Sequence, residues 1–236
     1  MSSTAQAAAE VDHLVVAART LDEGVQWCEA TLGVTPGPGG AHPLMGTHNR
    51  LLDVSGPGFE RVYLEIIAIN PAKQPTRATG LRRWLALDDA DLQAVLAPHG
   101  PQLAHFAARV PDAKATLHAL DREPLHIDRG PVLEASRDTP AGRLEWQITV
   151  RDDGQRLFYG ALPTLIQWGA VHPVDNMPPS PLQLVALAAT HPRVETLGAA
   201  LDAIGLQALE LQQGPPNLVA TLQTPRGRVT LESKGH

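Results

Sequence analysis

The sequence predicts an α+β fold assembled from three related strand–helix–strand–strand–strand (βαβββ) modules, and three observations predict it. First, residues 11–19, 103–110 and 182–189 are short, apolar and rich in small residues, and each runs into a helix candidate. They align on His13, His105 and Gln183. Second, Arg61-Val62-Tyr63-Leu64-Glu65 and Arg228-Val229-Thr230-Leu231-Glu232 close the first and third modules almost identically. Third, 21 prolines and 20 glycines cut the chain into many short elements. Self-similarity over tens of residues constrains the architecture more tightly than any local propensity.

In the first module, residues 11–19 form a strand and Thr20-Leu21-Asp22-Glu23 opens a helix, with acidic residues where the helix dipole favours them. Leu21, Val25, Cys28 and Leu32 keep helical spacing, and Gly33 stops the helix. Residues 34–43 carry too much glycine and proline for a central strand, so they are an irregular edge strand or a loop. Strands follow at 47–54 and 61–69 around a Gly56-Pro57-Gly58 turn.

The connector has helix candidates at 81–87 and 91–96, expected to cap one end of the sheet. The second module repeats the order with a strand at 103–110, a helix at 112–120 and strands near 131–136, 143–150 and 164–169. Pro178-Pro179-Ser180-Pro181 reads as a linker. The third module has a strand at 182–189, a helix at 194–204 and strands near 206–212, 218–223 and 228–233. The expected organisation is one domain over 11–177, made of modules 11–70 and 103–173 with a helical connector 71–102, then a third module over 182–234.

Composition bounds the function. A chain of 236 residues, 43% hydrophobic and 19% charged, has material for a real core. Its apolar runs are strand-length, far short of the ~20 residues of a membrane span. The alanine-rich residues 1–10 lack a signal peptide's basic start and long apolar run, and read as a loose tail. The lone Cys28 has no internal partner, which fits a reducing cytosol, so a cytoplasmic location is expected. A net charge of −6 argues against nucleic acid or an anionic membrane as partner. A half-cup third module would leave a sheet face needing cover, which a second copy in a homodimer could supply. No phosphate-binding glycine loop, nucleophile elbow or Cys-x-x-Cys pair is present.

Five pieces of the chain carry a family likeness: Asp12-His13-Leu14, Gly39-Gly40-Ala41-His42-Pro43, Gly46-Thr47-His48-Asn49-Arg50-Leu51-Leu52, Tyr63-Leu64-Glu65-Ile66 and Leu165-Ile166-Gln167-Trp168-Gly169. On these, the chain resembles the vicinal oxygen chelate superfamily and, within it, the glyoxalase-like domain family. The resemblance spans residues 11–173 and implies a glyoxalase/bleomycin-resistance/dioxygenase-type sheet curled around a small-molecule site. It also implies metal ligands from the first and last strand of each module, which here are His13, Glu65, His105 and Gln167. Gln167 departs from the acidic residue common at that place, so any base role moves to Glu65.

Two imidazoles and a carboxylate suit Zn, Ni, Fe or Mn. What the resemblance then implies is a metal-dependent lyase or isomerase passing through an ene-diolate, or a dioxygenase, acting on a small oxygenated molecule. The competing reading is a non-enzymatic protein that sequesters a small molecule by shape. For the histidines, the alternative to ligation is hydrogen bonding at the rim of the cup. His42, His48 and Asn49 either face substrate or satisfy loop backbone. Tyr63 shares a strand face with Glu65. Trp168 and Trp146 either wall a pocket or pack in the core. Arg50 either pairs an anionic group or lies on a solvated face. His99, His118, His126, His172 and His191 read as surface residues, and Glu232 lacks the histidine a second metal site would need.

Overall fold

In the computed structural model, residues 9–139 and 142–236 are described. Most of the expected tail, residues 1–8, lies outside them. Ala9 is buried and Glu10 already belongs to the first strand, so that strand begins one residue earlier than expected.

The first module is β1 (Glu10–Ala17), α1 (Leu21–Leu32), β2 (Gly37–His42), β3 (Thr47–Asp53) and β4 (Tyr63–Ile69). After α2 (Ala90–His99), the second is β5 (Gln102–Arg109), α3 (Ala113–Asp121), β6 (Val132–Thr139), β7 (Gly142–Thr149) and β8 (Thr164–Trp168). The third is β9 (Gln183–His191), α4 (Val194–Ile204), β10 (Glu210–Gln213), β11 (Asn217–Thr224) and β12 (Gly227–Glu232).

The first two modules share one eight-stranded sheet in the order β2-β3-β4-β1-β5-β8-β7-β6. The order reads the same outward from the antiparallel β1–β5 seam, so these modules are topological copies. The edge strand β2 is irregular, with its register broken between Pro38 and Ala41. α1 starts where the Thr20 hydroxyl accepts the Glu23 N–H at 3.1 Å and ends at Gly33 in the left-handed region.

Alternation along β1 and β4 sorts their side chains. Leu14, Val16, Leu64 and Ile66 join the main core with α1, while Val15, Ala17 and Ile67 face the hollow of the sheet.

One expectation needs correction. Residues 81–87 form turns rather than a helix, with Leu85 and Ala86 in the left-handed region. The Arg82 and Ala86 N–H groups donate to the Asp152 and Gly154 carbonyls, so the segment's backbone is committed to the neighbouring loop. The third module keeps the element order but not the sheet order: its strands run β10-β9-β11-β12, with β9 inside rather than at one end. Its Leu184, Leu218, Ala220 and Leu222 pack into the same core as Leu14, Val16, Phe106 and Ala108. The face that called for a second copy is therefore covered by the back of β1 and β5 in the same chain. No helix among the described residues is long and apolar enough to cross a membrane.

Candidate active site

The hollow of the eight-stranded sheet holds a cavity of ≈ 800 Å³, its open mouth included. Trp84, Trp146, Trp168, Leu144 and Ile148 form apolar walls, and His13, His42, Asn49, Tyr63, Glu65 and His105 supply polar atoms. A mostly apolar hollow with a few converging polar groups is the usual form of a small-molecule site.

A connected polar chain runs along the module-one wall. His13 Nδ1 lies 2.6 Å from Asp12 Oδ1, and a carboxylate can only accept, so Nδ1 carries the proton. Nε2 faces the hollow, 3.7 Å from Glu65 Oε2. Asn49 Nδ2 donates to Glu65 Oε1 at 2.5 Å, and the Gly40 N–H holds Asn49 Oδ1 at 2.7 Å. The Tyr63 ring stacks on His13 with centroids 4.6 Å apart. His13 and Glu65 are each only 6% exposed, so their charges act through little water.

Asp12 is the anchor. It is fully buried and also accepts from Trp168 Nε1 at 2.9 Å and His172 Nε2 at 3.0 Å. Burial alone would raise its pKa, but the hydrogen bonds from His13 and His172 outweigh that and hold it well below the usual carboxylate range. Burial likewise pulls His13 down, but the hydrogen bond to Asp12 and the charges of Asp12 and Glu65 raise it above its ordinary value. His13 is thus tuned toward the imidazolium, beside a carboxylate that only hydrogen-bond donors contact.

The four expected metal ligands do not converge. His13 and Glu65 come together, but His105 is tied on both ring nitrogens. Its Nδ1 donates to the Gly160 carbonyl at 2.9 Å. Its Nε2 accepts the Thr164 N–H at 3.1 Å and lies 3.2 Å from Arg129 Nη2. Burial, then Arg129 and Arg156, push its pKa well down, so it stays neutral. Gln167 lies on the opposite face of β8, where its Oε1 accepts the Ala113 N–H at 2.9 Å. Thr164, Ile166 and Trp168 line the hollow, so alternation turns Gln167 away from it. Among the described residues, no group of three or more His, Cys, Asp or Glu side chains is placed to hold a metal ion. The residues present do not fit the expected metal centre.

Of the expected substrate contacts, His42, Asn49, Tyr63 and Trp168 line the cavity and His48 does not. Asn49 and Leu51 face inward, so His48 and Arg50 face the α1 side, where Asp22 acts on His48. Burial lowers His42 to about 4, with Glu65 opposing and Arg137 adding to the shift, so its ring is neutral.

Several site residues escaped the sequence reading. His172, expected at the surface, is 3% exposed; His191, expected there too, is also buried but does not line the cavity. His172 lies after β8 and reaches back to Asp12, a contact that no local pattern signals. Asp12 was readable as a residue but not as a site group, because strict alternation places it opposite His13. Arg129, Arg137 and Arg156 also line the hollow, on segments without any motif.

Comparison with known proteins gives the family. The model of the glyoxalase-like domain matches residues 11–205. No curated protein matches the chain. Among solved structures, a variant of Streptomyces coelicolor methylmalonyl-CoA epimerase in complex with 2-nitronate-propionyl-CoA aligns with TM-score 0.41 and 18% identity, over 70% of this chain and 100% of that one. Methylmalonyl-CoA epimerase from Mycobacterium tuberculosis aligns with TM-score 0.39 and 16% identity, over 75% and 97%. A hypothetical protein from Bacillus halodurans aligns with TM-score 0.37 and 9% identity, over 68% and 93%. With a family model matched from the first strand to the end of α4, on top of the doubled βαβββ sheet, the chain belongs to the glyoxalase-like domain family.

Proposed function

We propose that the protein is a small-molecule enzyme that moves a proton on a carbon next to a carbonyl, a reaction of the isomerase or lyase type. The observation that supports this is the buried chain Asp12–His13–Glu65 opening onto the cavity.

In this reading, Glu65 takes the proton from carbon. Asn49 holds one of its oxygens and leaves Oε2 toward the hollow. His13, as imidazolium, presents Nε2–H to the carbonyl oxygen and stabilises the enolate that forms as the C–H bond breaks. Asp12 fixes the ring and offsets its charge, and Tyr63 stacks on its face. Return of the proton from Glu65, once the enolate has turned its other face to it, gives an isomer; expulsion of a β-substituent, with the proton kept on Glu65, gives elimination. General acid–base groups of this kind contribute about 10²–10⁴-fold to rate. No step passes through a metal, and the dioxygenase reading loses its ligand set because His105 is occupied.

The test is exchange. Small ketones, aldehydes and oxo acids are incubated with the protein in deuterated water and followed by proton NMR. Expected is protein-dependent exchange next to a carbonyl that falls about 10²–10⁴-fold in Glu65→Gln. No exchange with any member, or equal exchange in Glu65→Gln, overturns the proposal. The three tryptophans lining the hollow favour a second reading, a sequestering protein, which requires tight binding with no exchange.

A further inference from the structure

The chain carries a net charge of −6, yet the cavity lining has four arginines, 129, 137, 151 and 156, against one carboxylate, Glu65. Arg151 is answered by Asp128 and Asp153. Arg129, Arg137 and Arg156 have no carboxylate partner among the described residues. Arg129 is saturated by neutral acceptors, the Pro163 carbonyl at 2.7 Å and the Thr164 hydroxyl at 2.6 Å.

The other two are not saturated. Nε and Nη1 of Arg137 and Nε of Arg156 are shut off from water without an acceptor. So is Nε1 of Trp84. Buried donors without partners are costly, and a charged one more so, unless something accepts from them.

Two of these orphans, Arg137 and Trp84, gather near one strand, while Arg156 lies by β5, where its Nη1 donates to the Ala104 carbonyl at 2.7 Å. Gly40 of β2 leaves the space Arg137 fills: a Cβ there would lie 1.9 Å from its Nη1. The Trp84 ring stands 5.0 Å from that of His42, two residues further along β2. The Gly40 N–H supports Asn49, which supports Glu65, so Arg137 and Trp84 sit beside the proposed proton-transfer groups. Arg137 comes from β6 and Gly40 from β2, the two free edges of the sheet.

We infer that the cup takes a small ligand with an apolar body and an oxyanion head, a carboxylate or a phosphate, and that Arg137 is its anchor. The planar guanidinium fork matches either head group, and Trp84 adds a third donor. The tryptophan and aliphatic walls suit the apolar body. The inference rests on the cup being the ligand site, not on the chemistry proposed for His13.

Phenylacetate, phenyl phosphate and the neutral phenylacetamide are compared by quenching of tryptophan fluorescence, since three tryptophans line the hollow. Expected is binding of at least one anion about tenfold or more tighter than the amide, the scale of a charge-assisted hydrogen bond. Which anion prevails names the head group. Arg137→Ala abolishes the preference, and Gly40→Ala, which crowds the guanidinium from its other side, weakens it. The inference is overturned if no anion binds, if the amide binds equally, or if the preference survives Arg137→Ala. Proton exchange is a separate readout: its absence with the anion preference intact sinks the reading of His13 and leaves this one standing.

Discussion

Asp12 and His13 are consecutive residues whose side chains meet at 2.6 Å on one side of β1. A regular strand sends neighbours to opposite faces. Here the β1–β5 register skips from Val11 to His13, leaving Asp12 unpaired in a bulge. The extra residue turns its carboxylate to the histidine's side and toward the end of β8. The site's electrostatics depend on that one backbone irregularity.

Asp12→Asn therefore removes the charge that raises His13 and leaves the Trp168 and His172 donors with a weaker acceptor. The His13 pKa, read from its ring protons by NMR, is expected to fall. Breaking a buried charged contact costs about 3–5 kcal/mol, measurable by denaturant unfolding. An unmoved His13 titration contradicts the assignment.

His42 gives stability a pH dependence of known sign. Its buried ring has a pKa of about 4 against 6.5 when exposed, so the unfolded chain takes up the proton first. The neutral ring's contribution is complete above pH 6.5 and is lost as pH falls toward 4. His105, also lowered, acts in the same direction. His13, raised, acts oppositely, and its contribution is lost as pH climbs above its ordinary value. Urea unfolding of wild type and His42→Gln between those limits is expected to show a shallower acid loss in the variant.

Gln167→Ala tests the correction to the ligand set. The side chain caps the start of α3 from outside the cup, so the expected cost is about 0.5–1.5 kcal/mol of stability, with ligand binding unchanged. A change in cup binding larger than in stability would return Gln167 to the site.

Cys28 is expected to be inert. Burial, with Glu29 adding to it, pushes its thiol up to about 12, and its Sγ donates to the Val34 carbonyl at 3.2 Å. Folded protein should react with a disulfide reagent at a small fraction of the unfolded rate.

The doubled sheet was legible because each module repeats its polar addresses and its apolar alternation. His13 and Glu65 stood out through the family resemblance, and parity put Tyr63 on the face of Glu65; Asn49 was named together with His48, and parity was not used to choose between them. Parity also had the information to exclude Gln167, since Thr164, Ile166 and Trp168 share the other face. Asp12 was hidden by a bulge, which no alternation rule anticipates. Arg137, Arg156 and His172 were hidden because they arrive from distant segments and match no motif. The turns at 81–87 were hidden because loop 151–154 claims their backbone, a long-range event. The strand order of the third module's sheet goes with the core that it covers, and periodicity does not encode that.

The four-stranded sheet spans the joint between the two halves of the cup. The Leu184 N–H donates to Val54 of the first half at 2.7 Å, and β11 and β12 lie against β5 of the second. Residues 182–232 thus touch both halves from behind the β1–β5 joint. Leu218 and Leu222, remote from every ligand-facing atom, pack in the core that backs both halves, so shortening either is expected to lower the stability of the whole cup in urea unfolding rather than that of the third module alone.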